Sequence, residues 1–476
     1  MPEGIHEECG VFGIWSERPV PAGEYVYLGL FALQHRGQES CGVALSDRGL
    51  FRHHRGPGLV SEAFREEDLA RLGQGTIAVG HVRYSTTGGS LPGNIQPVVV
   101  RHVKGSMALC HNGNLTNAHA LRSHHELKGA IFHGTADTEA IVYTIVEERL
   151  TAPSTEEAAA RAMDRLQGAY SCVLMTATKL IAFRDPVGFR PLCFGSLPGG
   201  GWAVASESCA LDAVGAHFVR EVAPGEVLVF GPEGMRVHRR GRSGPAGLCV
   251  FEYIYFARPD SVIGGVPVHE ARLLAGRHLA RECPAEADVV IGVPDSGIDA
   301  ALGFARESGI PYGVGFHKNK YVGRSFISPG ERLRERAVRI KLSVIANAVR
   351  GKRVVLVDDS IVRGTTSGRI VGLLRDAGAS EVHVRVSSPP FRHPCYFGTD
   401  VDSEENLIAC RLGDVEAIAR RIGADSLGYL SLGAAHALAG DGTCACCDGC
   451  FSGRYPVEIT EEQRKDKFEQ PLRPEP

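Results

Sequence analysis

One stretch, VVLVDDSIVRGTTSGRIVGLL (Val354–Leu374), restricts the fold of this chain more than any other. Val354–Val357 carry no polar face, so a strand there must be covered on both sides, as in a parallel sheet between helices. Two carboxylates, Asp358 and Asp359, close the strand. Ser360–Thr366 is a loop of hydroxyls with one glycine, and it runs into helical sequence, TSGRIVGLLRDAG. The same rhythm surrounds it. ADVVIGVP reads as a strand, GIDAALGFARESG as a helix and IPYGVGF as a strand; EVHVRVS follows as another strand. The second half is therefore expected to consist of βαβ units with buried parallel strands.

Open α/β sheets bind ligands at the carboxyl ends of their strands. Backbone N–H groups of Arg363–Thr366, with the helix start behind them, make an anion seat. Adjacent carboxylates suit ribose hydroxyls or Mg²⁺. If Asp359 and Thr366 served only as caps, the second acid and the RGTT loop would be surplus. Upstream, GVPDSG (Gly292–Gly297) is a second loop at a strand end. Between the two loops lies His317–Lys341, with Lys318, Lys320, Arg324, Arg332, Arg334, Arg336, Arg339 and Lys341 against Glu331 and Glu335, a net +6. Such charge fits a ligand with several phosphates, and a loop closing over it would expel water. A solvated basic helix face is the bland alternative.

The first half is punctuated differently. CGVFGIW, GTIAVGHVRYS, MALCHNGNL, SCVLMTATKLIAFRD, WAVASES and EVLVF are short extended segments broken by Gly, Pro and Asn, with helices over Asp137–Arg149 and Thr155–Leu166. That pattern predicts antiparallel sheets stacked as a sandwich with helices outside. RRGRSGPAG (Arg239–Gly247) reads as a linker, and the charged, Pro-rich segment after about Pro456 as a loose tail. A chain of 476 residues needs two or three domains.

Net charge is -3, which gives no global pull toward nucleic acid or an anionic membrane. MPEGIHEE lacks the cationic start and apolar stretch of a signal peptide, and no apolar run would span a bilayer. A cytoplasmic enzyme is expected, and its fourteen cysteines should be thiols or metal ligands rather than disulfides.

Cys9, at the head of the first apolar segment, would alone be a small buried hydrophobe. Arg83 in GHVRYSTTG, Asn112 and Gly113 in HNGNL, and Asp137 in TADTE change that reading. A free amino acid with a side-chain amide needs an arginine fork for its carboxylate, an acid for its amine, a nucleophile at the amide carbon and N–H donors for the oxyanion. Arg83, Asp137, Cys9, and Asn112 with Gly113 supply these in turn. Cleavage of the Glu8–Cys9 bond would give Cys9 an α-amine with pKa about 7.7–8.0, able to take the thiol proton. MPEGIHEE (residues 1–8) is then a propeptide.

With LQHRGQES (Leu33–Ser40), these elements resemble the N-terminal-nucleophile glutamine amidotransferases. The resemblance implies an αββα sandwich and puts Arg36 and Gly37 near the thiol, at the glutamine site. VVLVDDSIVRGTT resembles the phosphoribosylpyrophosphate signature of type I phosphoribosyltransferases. That resemblance implies Asp358 and Asp359 on the ribose hydroxyls and Ser360, Arg363, Gly364, Thr365 and Thr366 on the 5-phosphate. It further implies Lys318 and Lys341 on the polyanion, and Mg²⁺ near Ser296, Asp358 and Asp359.

TCACCDGCFSGRYP contains Cys444, Cys446, Cys447 and Cys450, with chelating spacing between the last two. Cys249 and Cys395 lie far upstream. Spacing alone allows zinc or iron. The two halves in this order, from about Cys9 to Pro456, resemble the glutamine phosphoribosylpyrophosphate amidotransferase family. One branch carries a cleaved leader and a [4Fe–4S] cluster, which the resemblance assigns to Cys249, Cys395, Cys447 and Cys450; Cys444 or Cys446 could replace a ligand. The implied domains are 9–240 (glutamine amidotransferase) and 250–455 (phosphoribosyltransferase), with 456–476 as tail. The implied chemistry is glutamine-dependent amination of phosphoribosylpyrophosphate, in a homodimer or homotetramer inhibited by purine nucleotides. Tyr253 or Tyr255, where the chain enters the second domain, is expected to help join the sites. Two other readings stay open on the residues alone. One is a glutaminase whose second domain only senses nucleotides. The other is a non-catalytic iron–sulfur redox protein, which would leave Arg83, Asn112 and Asp137 without purpose.

Overall fold

The computed structural model describes residues 9–84, 91–239, 241, 247–321, 342–401, 403–440 and 446–459. The first half contains β1 (Gly10–Val20), β2 (Ser40–Asp47), β3 (Leu50–Pro57), β4 (Gly75–Arg83), β5 (Val98–His102), β6 (Gly105–Leu115) and β7 (Gly168–Met175). It continues with β8 (Leu180–Arg184), β9 (Cys193–Ser196), β10 (Trp202–Ala205), β11 (His217–Glu221), β12 (Val227–Gly231) and β13 (Gly234–Arg239). They form two antiparallel sheets, β11-β9-β10-β1-β4-β2-β3 and β13-β12-β8-β7-β6-β5.

Alternation along the strands explains the stacking. On β1, Val11 and Trp15 point into the layer between the sheets, while Phe12 and Ile14 face outward. The outward face is covered by the helices Ala22–Ala32 and Ser208–Ala213. Helices Asp137–Thr151 and Thr155–Met163 cover the other sheet. Four layers, αββα, result, as the sequence predicts.

The second half is built on a parallel sheet of β16 (Val289–Gly292), β19 (Arg353–Asp358), β20 (Glu381–Val386) and β21 (Ser426–Tyr429), in that order. Val355 and Val357 bury against one set of helices, Val354 and Leu356 against the other. Hairpin β14–β15 (Val262–Ile263, Val266–Pro267) and the pair β17–β18 (Phe316–Lys318, Leu342–Val344) lie apart from this sheet.

One strand expectation needs correction. IPYGVGF joins β16 only through an isolated Val290–Tyr312 bridge, and regular pairing starts at Phe316, antiparallel to Val344. Pro311 lacks an N–H and two glycines follow, so the segment cannot sustain a ladder. The linker reading falls mostly on 240 and 242–246, outside the described residues, as do the leader 1–8, the basic loop from 322 to 341, Cys444, and the tail from 460. Among the described residues no helix is long and apolar enough to cross a membrane.

Candidate active sites

Cys9 is buried at the head of β1, and its Sγ lies 3.4 Å from the Tyr84 carbonyl, just past the end of β4. β4 runs antiparallel to β1, with Val11 opposite His81, and brings buried Arg83 to the same end of the sheet. Gly37 packs flat on that end. A Cβ there would stand 2.6 Å from the Arg83 nitrogen, so only glycine fits. Arg36 sits behind the thiol, and its Nε donates to the Cys9 carbonyl at 3.2 Å. Its Nη atoms bind two buried carboxylates, Glu207 at 2.6 Å and Glu252 at 2.7 and 2.9 Å. Burial pushes the Glu207 carboxyl up, but His35 and Arg36 outweigh it and hold that group well below the usual carboxylate range.

The second sheet meets the first through His81, whose Nε2 donates to the His111 carbonyl at 2.9 Å. Burial lowers the His81 pKa to about 3, so the ring is neutral at physiological pH. Asn112, the next residue along β6, is 1% exposed, and neither atom of its amide has a hydrogen-bond partner among the described residues. A buried amide costs free energy unless something binds it, so a ligand atom is the natural complement. Gly113 has φ of +139°, and a Cβ would approach the Ala169 carbonyl oxygen to 2.1 Å. Asp137 begins its helix, buried, and accepts from the Leu115 N–H at 2.9 Å.

In the second half, Asp358 and Asp359 are buried at the end of β19. Burial and then Asp359 push the Asp358 carboxyl well up; burial also raises Asp359. Ser296 and Ser360 both donate to Asp359, joining the GVPDSG loop to the acidic pair. Lys318 pairs with Asp295, which carries β17 back to the same loop. Gly364 has φ of +82° and caps the helix Thr365–Asp376, so Arg363 and Gly364 lead into the helix and Thr365 and Thr366 open its first turn. Lys341 lies outside the described residues.

The four cysteines assigned to a cluster come together although 201 positions separate the first from the last. Cys249 bridges Cys447 in parallel, and the Cys447 N–H donates to the Leu248 carbonyl at 2.9 Å. Burial raises the Cys450 thiol well above its ordinary value, helped by Cys395, Cys249 and Cys447 beside it. Burial pushes Cys447 up to about 12.

Sequence reading missed Glu207, Glu252, Arg190 and Arg272. Arg190, fully buried, donates through Nε and Nη2 to the Phe397 carbonyl at 3.2 and 2.8 Å. Arg272 binds the carbonyls of Tyr253, Tyr255 and Ala257 at 2.6–2.9 Å, and burial lowers its pKa. A glutamate inside the aromatic run FEYIYF is a signal that a buried partner exists, though not which one. Tyr253 itself is fully buried, its hydroxyl donating to the Ile263 carbonyl at 2.9 Å.

Comparison with known proteins agrees with this geometry. Residues 81–213 match the family model for a glutamine amidotransferase domain, and residues 268–394 that for a phosphoribosyl transferase domain. The chain is 48% identical over 465 residues to an amidophosphoribosyltransferase of Bacillus subtilis, covering 97% of this chain and 96% of that one. A B. subtilis structure, glutamine phosphoribosylpyrophosphate amidotransferase complexed with ADP and GMP, superposes with a TM-score of 0.88 at 47% identity, covering 96% of this chain and 99% of the other. A structure described as the allosteric regulatory enzyme of purine biosynthesis superposes with a TM-score of 0.90 at 46% identity, covering 98% and 99%. The chain belongs to the amidophosphoribosyltransferases, which use glutamine to aminate phosphoribosylpyrophosphate at the first step of purine biosynthesis.

Proposed function

We propose that Cys9, freed as the N-terminal residue of domain 9–240 by loss of residues 1–8, is the nucleophile that releases ammonia from glutamine. Its own α-amine takes the thiol proton and returns it to the departing ammonia. Arg83 binds the glutamine carboxylate and Asp137 the α-amine, while Arg36 and Gly37 shape the backbone around the thiol. The amide of Asn112 and the N–H of Gly113 hold the oxyanion. Water then hydrolyses the thioester to glutamate. The observation that carries this reading is the buried Asn112 amide, without a hydrogen-bond partner among the described residues, on a strand tied to β4 by His81.

In domain 250–455, Asp358 and Asp359 take the ribose hydroxyls, and Ser360, Arg363, Gly364, Thr365 and Thr366 the 5-phosphate. Lys318 and Lys341 face the pyrophosphate. Ammonia attacks C1 and the C1–pyrophosphate bond breaks, giving 5-phosphoribosylamine. Hard oxygen donors at Ser296, Asp358 and Asp359 fit Mg²⁺, which commonly binds through one or two carboxylates plus substrate phosphates. When bound it would neutralise charge on the leaving group and on the two raised carboxyls.

Cys249, Cys395, Cys447 and Cys450 fit a [4Fe–4S] cluster. The Cys249–Cys447 backbone bridge, and the mutual influence of Cys395, Cys249 and Cys447 on the Cys450 thiol, support a shared set of four ligands. The cluster is structural, because nothing in the reaction transfers electrons. A cytoplasmic homo-oligomer restrained by purine nucleotides completes the proposal; the nucleotides bound to the B. subtilis structure support the last point.

Replacing Cys9 by Ala tests the scheme. Glutamine-dependent amination should vanish and ammonia-dependent amination persist. Retained glutamine use would refute it.

A further inference from the structure

The two halves meet through four buried charges. Glu252 is fully buried, and its carboxylate binds Arg36 through both oxygens and lies 3.5 Å from Arg190 Nη1. Glu207 binds Arg36 from the other side and accepts from Ser261 Oγ at 2.6 Å. Two arginines and two glutamates balance in charge. For stability alone such a network has little to recommend it, since well-packed apolar residues do as well or better. Its outer ends supply a different reason. Arg36 holds the carbonyl of Cys9. Arg190 holds the carbonyl of Phe397, and the segment that follows lies on the Gly113 strand. A Cβ on Gly398 would stand 3.5 Å from the Gly113 carbonyl carbon, and Asn114 Nδ2 donates to the Tyr396 carbonyl at 2.9 Å. One carboxylate from the second half therefore stands behind both the thiol and the oxyanion strand.

Glu252 also opens the turn Glu252–Phe256, whose carbonyls are gripped by Arg272 from the helix Val268–Glu282. The charge of Arg272 bears on Asp359 in the ribose site. The carboxylate behind Cys9 is thus anchored to the element from which Arg272 acts on Asp359.

We propose that Glu252 is a positioning residue for glutamine cleavage: through Arg36 and Arg190 it sets the Cys9 backbone against the Gly113 strand, so cleavage depends on how the second domain is seated. This rests on the amidotransferase reading of Cys9. Misplacement of a reacting group by about 1 Å costs on the order of 100-fold in rate, while binding of glutamine through Arg83 and Asp137 need not change.

The test uses the full-length enzyme. E252Q keeps the shape and removes the charge. Its kcat for glutamine hydrolysis should fall about 10- to 100-fold, with KM for glutamine changed less than about threefold and ammonia-dependent amination kept within about twofold. Iodoacetamide should alkylate Cys9 more slowly in E252Q. In R190M, which loses only the arm to Phe397, alkylation should run at the native rate while glutamine kcat falls. Native glutamine kcat in E252Q overturns the proposal. So does parallel loss of glutamine- and ammonia-dependent activity in both variants, the signature of residues that merely hold the fold. Failure of the underlying reading would show differently, as glutamine hydrolysis retained by Cys9→Ala.

Discussion

Acid should loosen the joint between the two sheets through a single ring. His81 Nε2 donates to the His111 carbonyl, and Nδ1 has no partner among the described residues. Protonation would add a buried positive charge and a second donor with nothing to receive it. The pKa falls from 6.5 to about 3, with burial the largest cause and Arg83 a contributor of the same sign. Because the folded value is depressed, the unfolded chain binds the proton first. Stability is at its full value above about pH 6.5 and is lost as the pH falls toward 3. At about pH 5 the loss amounts to roughly 30-fold in the opening equilibrium, ~2 kcal/mol. Hydrogen exchange of β4 and β6 amides, read by mass spectrometry and corrected for the intrinsic pH dependence, measures that equilibrium in the intact enzyme. Between about pH 7.5 and 5, protection of these strands should drop about 30-fold, and the drop should disappear in His81→Gln, which keeps a donor but does not titrate. An identical drop in the variant would refute the reasoning.

Three other outcomes follow from the geometry. Asp358→Asn removes a buried carboxylate whose ionisation opposes folding above about pH 4, so at neutral pH the variant should gain roughly 0.5–2 kcal/mol by thermal or denaturant unfolding. The same variant should lose ammonia-dependent amination. Gly113→Ala drives a Cβ onto the Ala169 carbonyl and should cost about 1–3 kcal/mol, with glutamine-dependent product formation falling far more than ammonia-dependent formation. Cys447→Ser should strip iron and sulfide from the purified protein, measured by elemental analysis; undiminished iron would move the ligand set elsewhere.

Local pattern made most of the architecture legible. Val354–Val357 have no polar face and form a strand buried on both sides, while Val11, Phe12, Ile14 and Trp15 alternate and divide between two layers. Ile310–Gly315 misled because apolar content is visible in sequence, whereas the missing N–H of Pro311 acts only where a partner strand lies alongside. At the sites, the strand-end place of Asp358 and Asp359 and the turn at Gly364 could be read because such features are local. Glu207, Glu252, Arg190 and Arg272 could not. Their meaning comes from partners up to 216 positions away, as for Arg36 and Glu252, and no spacing rule reaches that far.

The pairing of Cys249 with Cys447 has a consequence for synthesis on the ribosome. The thiol nest cannot be completed until nearly the entire polypeptide has emerged, and the Tyr396–Gly398 cover over Gly113 arrives almost as late. The αββα layers, finished by β13, can fold long before either. A nascent chain whose first two sheets have formed therefore still lacks the Tyr396–Gly398 brace on the Gly113 strand.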